Sequence, residues 1–189
     1  MYPILLNLKN KRVLVIGGGK IAERKVSRLL LAEADISLIS PTITEFLRKL
    51  VEEKKIVHQK RKFKKGDLEN TFLLIAATND KGVNRQIYLE AERKKILVNA
   101  VDMPDYCNFF VPSIVDRGDL LVSISTHGKS PAFAKLLRKK LEEYLPKELS
   151  KEVRRLGELR EGQKDKNPRE RKETAHQEAK QILNSYFKP

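Results

Sequence analysis

The sequence predicts an α/β fold in which a doubly wound parallel sheet is followed by a small α+β segment and a helical C-terminal region. Three observations lead to this prediction. Short apolar runs alternate with helical periodicity between residues 12 and 101, as in strands joined by crossover helices. The first run ends in three glycines. After Asp102 the alternation stops, and charged residues dominate from Lys147 onward.

The first part of the chain, after a short lead-in, alternates strands with helices. Residues 72–77 form an uncharged apolar run, which suits a parallel strand covered on both faces. The predicted strands cover residues 12–16, 35–40, 56–59, 72–77 and 96–101, and the predicted helices cover residues 20 to about 33, 46–51 and 83–91.

The rest of the chain follows a different pattern. Two short strands, at residues 114–115 and 120–125, are joined by a hairpin-type turn at residues 116–119. A helix is expected from Pro131 toward Pro146. Narrow apolar stripes then predict a helical appendage with a break near 162–168, or alternatively partly ordered surface helices. The predicted segments are residues 1–112, 113–146 and 147–189.

The glycine-rich turn of Gly17, Gly18 and Gly19 separates the first predicted strand from the first helix. Gly17 and Gly19 with Ala22 fit the dinucleotide fingerprint G-x-G-x-x-G/A, in which a helix N terminus faces a pyrophosphate. The free N–H groups and the positive dipole end stabilise that charge. The alternative is a turn that only lets the helix pack closely on its strand. The motif predicts a Rossmann-like domain.

Ligands of a doubly wound sheet bind beyond the carboxyl ends of its strands, so these ends supply the candidate site. The second strand ends at Ser40 and Pro41, without an acidic residue for an adenosine ribose or an arginine for a 2′-phosphate. NAD therefore cannot be distinguished from NADP here. The predicted cofactor-binding residues are Gly17, Gly18, Gly19, Lys20, Ile21, Ala22, Ser40, Pro41, Thr78 and Asn79.

Asp102 is the candidate catalytic residue. It follows the fifth predicted strand, where its side chain would enter the crevice beside a nicotinamide. A carboxylate there can accept a proton as a hydride leaves. The alternative is that Asp102 only caps a turn before Pro104. Asn99, on the same strand, is predicted to contact the substrate.

A second helix start lies after the predicted hairpin. Ser130 is the expected N-cap and Pro131 the first helical residue, so hydroxyls, an ammonium group and helix-start N–H groups can bind a carboxylate here. Capping alone leaves Thr126 and Lys129 without a role. The predicted substrate-binding residues of this segment are Ser125, Thr126, His127, Gly128, Lys129 and Ser130.

The remaining chemistry-bearing residues are expected to be structural or solvated. His58 and the other two histidines are far apart and lack ligand spacing, so they are predicted as surface residues and no metal site is predicted. Arg24 and Lys25 are predicted to lie on a solvated helix face. Cys107 is the only cysteine, which excludes an intrachain disulfide and suits a reducing compartment.

The net charge of +14, from 39 basic and 25 acidic residues, attracts anions. Because the basic residues are dispersed and aromatic residues are few, a small polycarboxylate is favoured over nucleic acid. The sequence contains no presequence pattern and no apolar run long enough to cross a bilayer. We therefore expect a cytoplasmic chain without a membrane partner.

Several motifs in a fixed order resemble one family, the precorrin-2 dehydrogenases, which include the dehydrogenase module of sirohaem synthase. The resemblance covers the first three quarters of the chain. It rests on the glycine turn with its following residues, Gly17 to Lys25, and on the segments at residues 76–80, 99–102, 107–114, 117–120 and 123–131.

The resemblance implies an NAD-dependent oxidation of precorrin-2 to sirohydrochlorin, in sirohaem biosynthesis, by a homodimer. Residues 1–112 would bind NAD, and residues 113–146 would form the dimer contact. Asp102 matches the family's essential aspartate, proposed as general base, and Ser125 and Thr126 match a polar segment close to the tetrapyrrole. His127 stands where a glycine is common.

Two further activities stay open at this point. Some members of the family also act as ferrochelatases, which insert Fe²⁺ into sirohydrochlorin, and the charged tail is short for the helical domain of those members. The alternative function of a different class is a nucleotide-sensing regulator that binds nucleic acid through its basic surface.

Overall fold

The computed structural model describes residues 1–187. They form two compact units, one over Tyr2–Phe110 and one that begins at Val111. The predicted division of the second half into residues 113–146 and 147–189 stays a prediction.

The first unit is built on a five-stranded parallel sheet with the order β3-β2-β1-β4-β5. This confirms the predicted doubly wound α/β fold, and each predicted strand is present to within one residue at each end. The order changes direction at β1, so the ligand crevice is expected between β1 and β4. The strands are β1 (Arg12–Ile16), β2 (Asp35–Ile39), β3 (Val57–Gln59), β4 (Leu73–Ala76) and β5 (Leu97–Ala100), and the helices are α1 (Lys20–Leu31), α2 (Glu45–Glu52) and α3 (Lys81–Arg93).

The central strand β1 is buried on both faces. Val13 and Val15 pack in one apolar cluster with Val26 of α1, whereas Leu14 packs in a second cluster with Ile87 of α3. Successive side chains of a strand point to opposite faces, so an unbroken apolar run fills both cores. Each such side chain contributes about 1.5–3 kcal/mol through burial. This packing fixes the end of β1 and therefore the glycine turn.

The second unit begins with an antiparallel hairpin of β6 (Ser113–Arg117) and β7 (Leu120–Ile124). Arg117 pairs with Leu120, so the turn is tighter than the predicted 116–119. Gly118 allows this turn because its φ of +71° lies in the left-handed region. The Arg117 guanidinium also donates to the carbonyl of Leu145 at 2.8 Å, which joins the hairpin to the following helix.

Three helices complete the second unit: α4 (Pro131–Tyr144), α5 (Leu149–Gly162) and α6 (Pro168–Tyr186). The charged tail is therefore helical, with its break at the predicted place. Arg154 of α5 forms an ion pair with Asp119 of the hairpin turn at 2.9 Å, and Arg155 reaches Glu178 of α6 at 3.0 Å. Among residues 1–187, no helix combines the length and the hydropathy needed to cross a bilayer.

Candidate functional site

A cavity of about 770 Å³ lies at the carboxyl ends of β1, β2 and β4. Nine of the ten predicted cofactor-binding residues line it. Ala22 does not, because its side chain is fully buried in the core under α1. The structure thus brings together the predicted residues from three separate strand ends: Gly17, Gly18, Gly19, Lys20, Ile21, Ser40, Pro41, Thr78 and Asn79.

The three glycines of the turn differ in their surroundings. A Cβ on Gly17 would lie 2.2 Å from the carbonyl oxygen of Ala77, and Gly17 also has a φ of +116°. A Cβ on Gly18 would lie 2.0 Å from the carbonyl oxygen of Thr42. A Cβ on Gly19 would meet nothing within 4 Å. Gly17 and Gly18 are needed for packing, whereas Gly19 leaves open space beside the cavity.

The N terminus of α1 opens at Gly19, the N-cap residue, whose backbone is extended and which supplies no side-chain cap. First-turn N–H groups of a helix need a partner from outside, and an anion satisfies them well. Lys20 is 82% exposed and forms an ion pair with Glu23 at 3.2 Å. The turn therefore offers backbone donors and a positive dipole end to a phosphate group.

The end of β2 is held by hydrogen bonds within the protein. The Ser40 hydroxyl donates to the carbonyl of Thr42 at 2.7 Å. His58 Nε2 donates to the carbonyl of Ser40 at 2.9 Å. His58 is half-buried, so the prediction of a surface histidine was wrong, because β3 pairs with β2 and brings His58 against the loop. The Ser40 hydroxyl hydrogen is thus already committed.

Lys62 and Phe63 also line the larger cavity, and the sequence did not identify them as site residues. They belong to the basic loop after β3. Six residues in a row, from Lys60 to Lys65, include five cations, and nothing in that local pattern distinguishes the one that faces the cavity. The pairing of β3 with β2 decides this.

The loop after β4 is organised by Asn84, a buried residue of α3 that the sequence did not single out. Thr78 Oγ1 donates to Asn84 Oδ1 at 2.7 Å, and Asn84 Nδ2 donates to the Thr78 carbonyl at 3.0 Å. Asp80 Oδ1 accepts from Val83 N at 3.0 Å and caps α3. Asn84 therefore holds the hydroxyl and the carbonyl of Thr78 in place at the cavity wall.

Asp102 lines a second cavity, of about 210 Å³, together with Val101 and Met103. Its φ of +59° places it in the left-handed region, within a turn that is closed by the hydrogen bond from Met103 N to the Ala100 carbonyl at 3.2 Å. Aspartate tolerates this conformation better than most residues. The turn presents an exposed carboxylate at the cavity wall.

Lys25 is not on a solvated helix face, so that prediction was wrong. It is half-buried on α1, and burial holds the pKa of its ammonium group below the ordinary value, as do the charges of Arg28 and Arg24. Cys107 and Asp102 act on the same pKa in the opposite direction. Lys25 is therefore a cation in the electrostatic surroundings of the candidate catalytic carboxylate.

Asn99 and Cys107 hold the segment that follows β5. Asn99 is buried, and its Nδ2 donates to the Phe109 carbonyl at 3.1 Å. The Cys107 thiol donates to the carbonyl of Ala100 at 3.2 Å, and burial raises its pKa. The Asn99 amide is thus engaged within the protein. The predicted contact of Asn99 with substrate stays a prediction. Cys107 has the character of a structural thiol rather than a nucleophile.

The second helix start lies in the second unit and follows the predicted capping. Ser130 Oγ accepts from Phe133 N at 3.2 Å, and Thr126 Oγ1 accepts from Ser130 N at 3.1 Å. Thr126 thus gains the role that capping by Ser130 alone leaves unexplained. His127 has a φ of +54° and Gly128 a φ of +78°, so both residues lie in the left-handed region that favours glycine.

Of the other predicted residues of this segment, Ser125 hydrogen-bonds to the backbone and Lys129 has a side chain exposed to solvent. Ser125 Oγ accepts from the N–H of His127 at 3.1 Å. Lys129 N donates to the Thr126 carbonyl at 3.0 Å, and the Lys129 side chain is exposed. The ammonium group of Lys129 is therefore available to an anion.

Two family models match the chain. The model described as "Putative NAD(P)-binding" matches residues 4–113, and the model described as "Sirohaem biosynthesis protein central" matches residues 117–144. The first match covers the whole parallel sheet, and the second covers β7, α4 and their connection.

Curated relatives and a solved structure agree with these matches. The chain is 39% identical over 158 residues to sirohaem synthase of Photobacterium profundum, covering 84% of this chain and 34% of that protein. It is 44% identical over 145 residues to sirohaem synthase of Nitrosomonas europaea, covering 76% and 30%. The chain spans about a third of the length of these relatives.

The structure is similar to that of SirC, a precorrin-2 dehydrogenase. The TM-score is 0.80 at 28% sequence identity, with 94% of this chain and 88% of that chain covered. The family predicted from the ordered motifs is therefore confirmed. With an NAD(P)-binding domain followed by the central segment of sirohaem biosynthesis proteins, the chain belongs to the family of precorrin-2 dehydrogenases and sirohaem synthase N-terminal modules.

Proposed function

We propose that this chain oxidises precorrin-2 to sirohydrochlorin with NAD as the hydride acceptor, in sirohaem biosynthesis. One observation carries the proposal: the cavity beside Asp102 and the larger cavity at the glycine turn share the lining residues Ile21, Ala77, Thr78 and Asn79. A dinucleotide site and a proton acceptor are thus adjacent, as dehydrogenation requires. The activity named for SirC supports the choice of substrate.

The residues around the larger cavity fit a dinucleotide. Its volume of about 770 Å³ lies within the range of about 300–1,000 Å³ typical of ligand sites. The open space at Gly19 and the first-turn N–H groups of α1 would hold the pyrophosphate. Ser40 and Pro41 would line the adenosine end, and Thr78 and Asn79 the nicotinamide end. When bound, NAD supplies the hydride acceptor.

The oxidation removes two electrons and one proton as a hydride, and it releases a second proton. Asp102 is proposed to accept that second proton, because its carboxylate lines the adjacent cavity and is exposed enough to pass the proton on to water.

Substrate recognition is proposed for the segment of residues 125–130. Precorrin-2 carries many carboxylates, which suit a protein with a net charge of +14. The exposed ammonium group of Lys129 can bind one of them, and the hydroxyls of Ser125, Thr126 and Ser130 hold the turn in place.

The proposed role of Asp102 is tested with Asp102→Asn. Asparagine tolerates the φ of +59° at this position, so the variant removes the charge without the strain that alanine would add. We expect the rate of NADH formation with precorrin-2 to fall by about 10²–10⁴-fold, whereas the dissociation constant of NAD stays unchanged. Absorbance at the NADH band and titration calorimetry measure the two quantities.

Asp105→Asn is the matched control, because Asp105 is exposed in the same connection and does not line either cavity. Its turnover should equal that of the wild-type chain. Wild-type turnover in Asp102→Asn would refute the assigned base, and absence of NADH formation in the wild-type chain would refute the proposed reaction.

The setting of the enzyme is part of the proposal. A homodimer is proposed on the family resemblance. A cytoplasmic location is proposed because Cys107, the single cysteine, is a free thiol that donates to a backbone carbonyl. Insertion of Fe²⁺ into sirohydrochlorin, which the family resemblance left open, stays a prediction.

A further inference from the structure

Asn84, in the first turn of α3, is a polar residue that lies in the core, with only 2% of its surface exposed. A buried amide is stable only when its donors and its acceptor have partners. Asn84 Oδ1 accepts from the Thr78 hydroxyl at 2.7 Å, and Asn84 Nδ2 donates to the Thr78 carbonyl at 3.0 Å. The same Nδ2 donates to Met103 Sδ at 3.6 Å. The partners of one amide therefore lie on two segments, the loop after β4 and the turn after β5.

These two partners stand at the two places that the proposed reaction uses. Thr78 lines both cavities, at the proposed nicotinamide end of the larger one. Met103 lines the smaller cavity and directly follows Asp102. Its N–H donates to the Ala100 carbonyl at 3.2 Å and so closes the turn that carries Asp102. Asn84 thus joins the wall beside the hydride acceptor to the turn beside the proposed base.

The strand pairing between β4 and β5 ends before it reaches these partners. Its last register pair is Ala76 with Ala100. Thr78 and Met103 both lie beyond that pair in their segments. The Asn84 amide therefore links the two segments at a level of the sheet edge where the ladder of backbone hydrogen bonds has stopped.

We infer that Asn84 is a positioning residue for the proposed dehydrogenation: through Thr78 and Met103, its amide sets the position of the Asp102 carboxylate relative to the nicotinamide. The inference rests on the proposed function, because it requires Asp102 as the base and a dinucleotide in the larger cavity. With so little exposed surface, Asn84 acts through its two partners. Such an effect can be large, since a misplacement of about 1 Å can cost about 10²-fold in rate.

Asn84→Ala in the full chain tests the inference. Steady-state kinetics of NADH formation with precorrin-2 measures kcat, and titration calorimetry with NAD measures the dissociation constant and the fraction of the chain that binds. We expect kcat to fall by about 10- to 100-fold. The dissociation constant of NAD should change by less than about threefold, because the helix N terminus that would hold the pyrophosphate does not depend on Asn84.

Asn108→Ala is the matched control, because it removes a similar set of amide hydrogen bonds from the other end of β5. Asn108 Oδ1 accepts from Val98 N at 2.7 Å, and Asn108 Nδ2 donates to the Ile96 carbonyl at 2.9 Å. Asn108 lines neither cavity. Both variants should lower the midpoint of denaturant unfolding, but Asn108→Ala should keep the wild-type kcat.

Two further variants show how Asn84 acts. Residues that serve one step give losses that do not add, so Asn84→Ala should slow the Asp102→Asn chain by less than about threefold. Thr78→Val removes the hydroxyl that Asn84 binds and keeps the size of the side chain. It should lower kcat by about three- to tenfold, the size of one hydrogen bond, and it provides the test if Asn84→Ala does not fold.

The possible failures point to different conclusions. Wild-type kcat in Asn84→Ala or in Thr78→Val, an equal loss of kcat in Asn108→Ala, or a loss of NAD binding as large as the loss of kcat would overturn the positioning role. An undiminished effect of Asn84→Ala in the Asp102→Asn chain would also overturn it. All of these results leave the proposed function intact. Wild-type turnover in Asp102→Asn alone, or no NADH formation by the wild-type chain, would refute the proposed function and the inference together.

Discussion

Three consecutive glycines show how differently one residue type serves a single turn. Gly17 combines a positive φ with close contact to the Ala77 carbonyl, so two constraints exclude a side chain there. Gly18 has no unusual φ, but the Thr42 carbonyl occupies the place of its Cβ. Gly19 has neither constraint. Its small size leaves space only for something outside the protein, and this points to a bound phosphate.

Alanine at Gly18 and alanine at Gly19 should therefore affect different properties, the first the stability of the fold and the second the binding of NAD. Gly18→Ala should destabilise the fold by about 1–3 kcal/mol, because a Cβ at 2.0 Å from a backbone oxygen forces the β2 loop to move. Gly19→Ala should leave stability within about 0.5 kcal/mol and weaken NAD binding by tenfold or more, because its methyl group enters the phosphate space.

Chemical denaturation and titration calorimetry measure these two properties. Each variant is the control of the other, since both add the same methyl group to the same turn. Equal loss of stability in both variants, with unchanged NAD binding in Gly19→Ala, would mean that the turn serves packing alone.

The loop between β3 and β4 is held together by one carboxylate. Five of the six residues from Lys60 to Lys65 are cations, which repel one another. Arg61 and the N–H of Lys64 bind the Asp67 carboxylate, at 2.9 Å and 2.8 Å. Burial raises the pKa of Asp67, but these hydrogen bonds outweigh it, and the pKa lies below the ordinary value of 3.8.

The Asp67 contribution to stability should consequently depend on pH. Because the pKa is lower in the folded than in the unfolded chain, the contribution is complete above the unfolded value of about 3.8 and is lost as pH falls through the folded value. The free energy of unfolding of Asp67→Asn should lie about 1–3 kcal/mol below that of the wild-type chain at neutral pH. This difference should shrink below about pH 4.

Denaturant unfolding at several pH values measures this difference. Glu53→Gln is the control, since Glu53 pairs with Lys55 on the surface with both side chains more than half exposed, and its effect should stay below about 0.5 kcal/mol at every pH. A difference between Asp67→Asn and wild type that does not change with pH would contradict the ionic role of Asp67.

At the scale of the whole molecule, two features do not contribute to the packing of the fold: an exposed apolar face of α4 and the large net charge. Phe133, Leu136 and Leu137 of α4 lie on one helix face, and they are 59%, 62% and 36% exposed. Three large apolar side chains in one exposed patch mark an interaction surface. On the family resemblance, the proposed partner is a second copy of this chain.

Leu136→Glu should therefore shift the proposed dimer toward monomer. A charge buried in an apolar interface costs several kcal/mol, so the dimer dissociation constant should rise at least about a hundredfold. Sedimentation equilibrium measures it, and Lys135→Glu, at an exposed polar position of the same helix, should leave it nearly unchanged. A monomeric wild-type chain, or an unaffected Leu136→Glu dimer, would contradict this interface.

The net charge of +14 makes a second whole-molecule prediction. If the charge serves a polycarboxylate substrate, binding to duplex DNA should be weak, independent of sequence and lost as salt rises to about 0.2 M. A gel-shift titration over salt measures this. Selective binding that persists at this salt concentration would favour the nucleotide-sensing regulator instead.

The periodicity of the sequence was sufficient to predict the strands, most helix limits and the glycine turn. Nine of the ten residues predicted to bind the cofactor line the larger cavity. Apolar runs and helical spacing are local signals, and a doubly wound sheet displays them clearly because its central strands are buried on both faces. The ordered motifs were sufficient for the family. The same local signals placed Asp102 at a strand end, although its left-handed turn was not foreseen.

Only the tertiary structure decided which further polar residues surround these strand ends. Lys25 and His58 were predicted on the surface, and Lys62 and Asn84 were not singled out at all. Two of them owe their place to a strand distant in sequence, since the pairing of β3 with β2 positions His58 and Lys62. Asn84 is held by Thr78, six residues before it, once α3 packs beside the end of β4. Sequence by itself determined where strands end and what chemistry they carry. The burial of a side chain and its hydrogen-bond partners depend on which helices and strands come into contact, and only the tertiary structure determines those contacts.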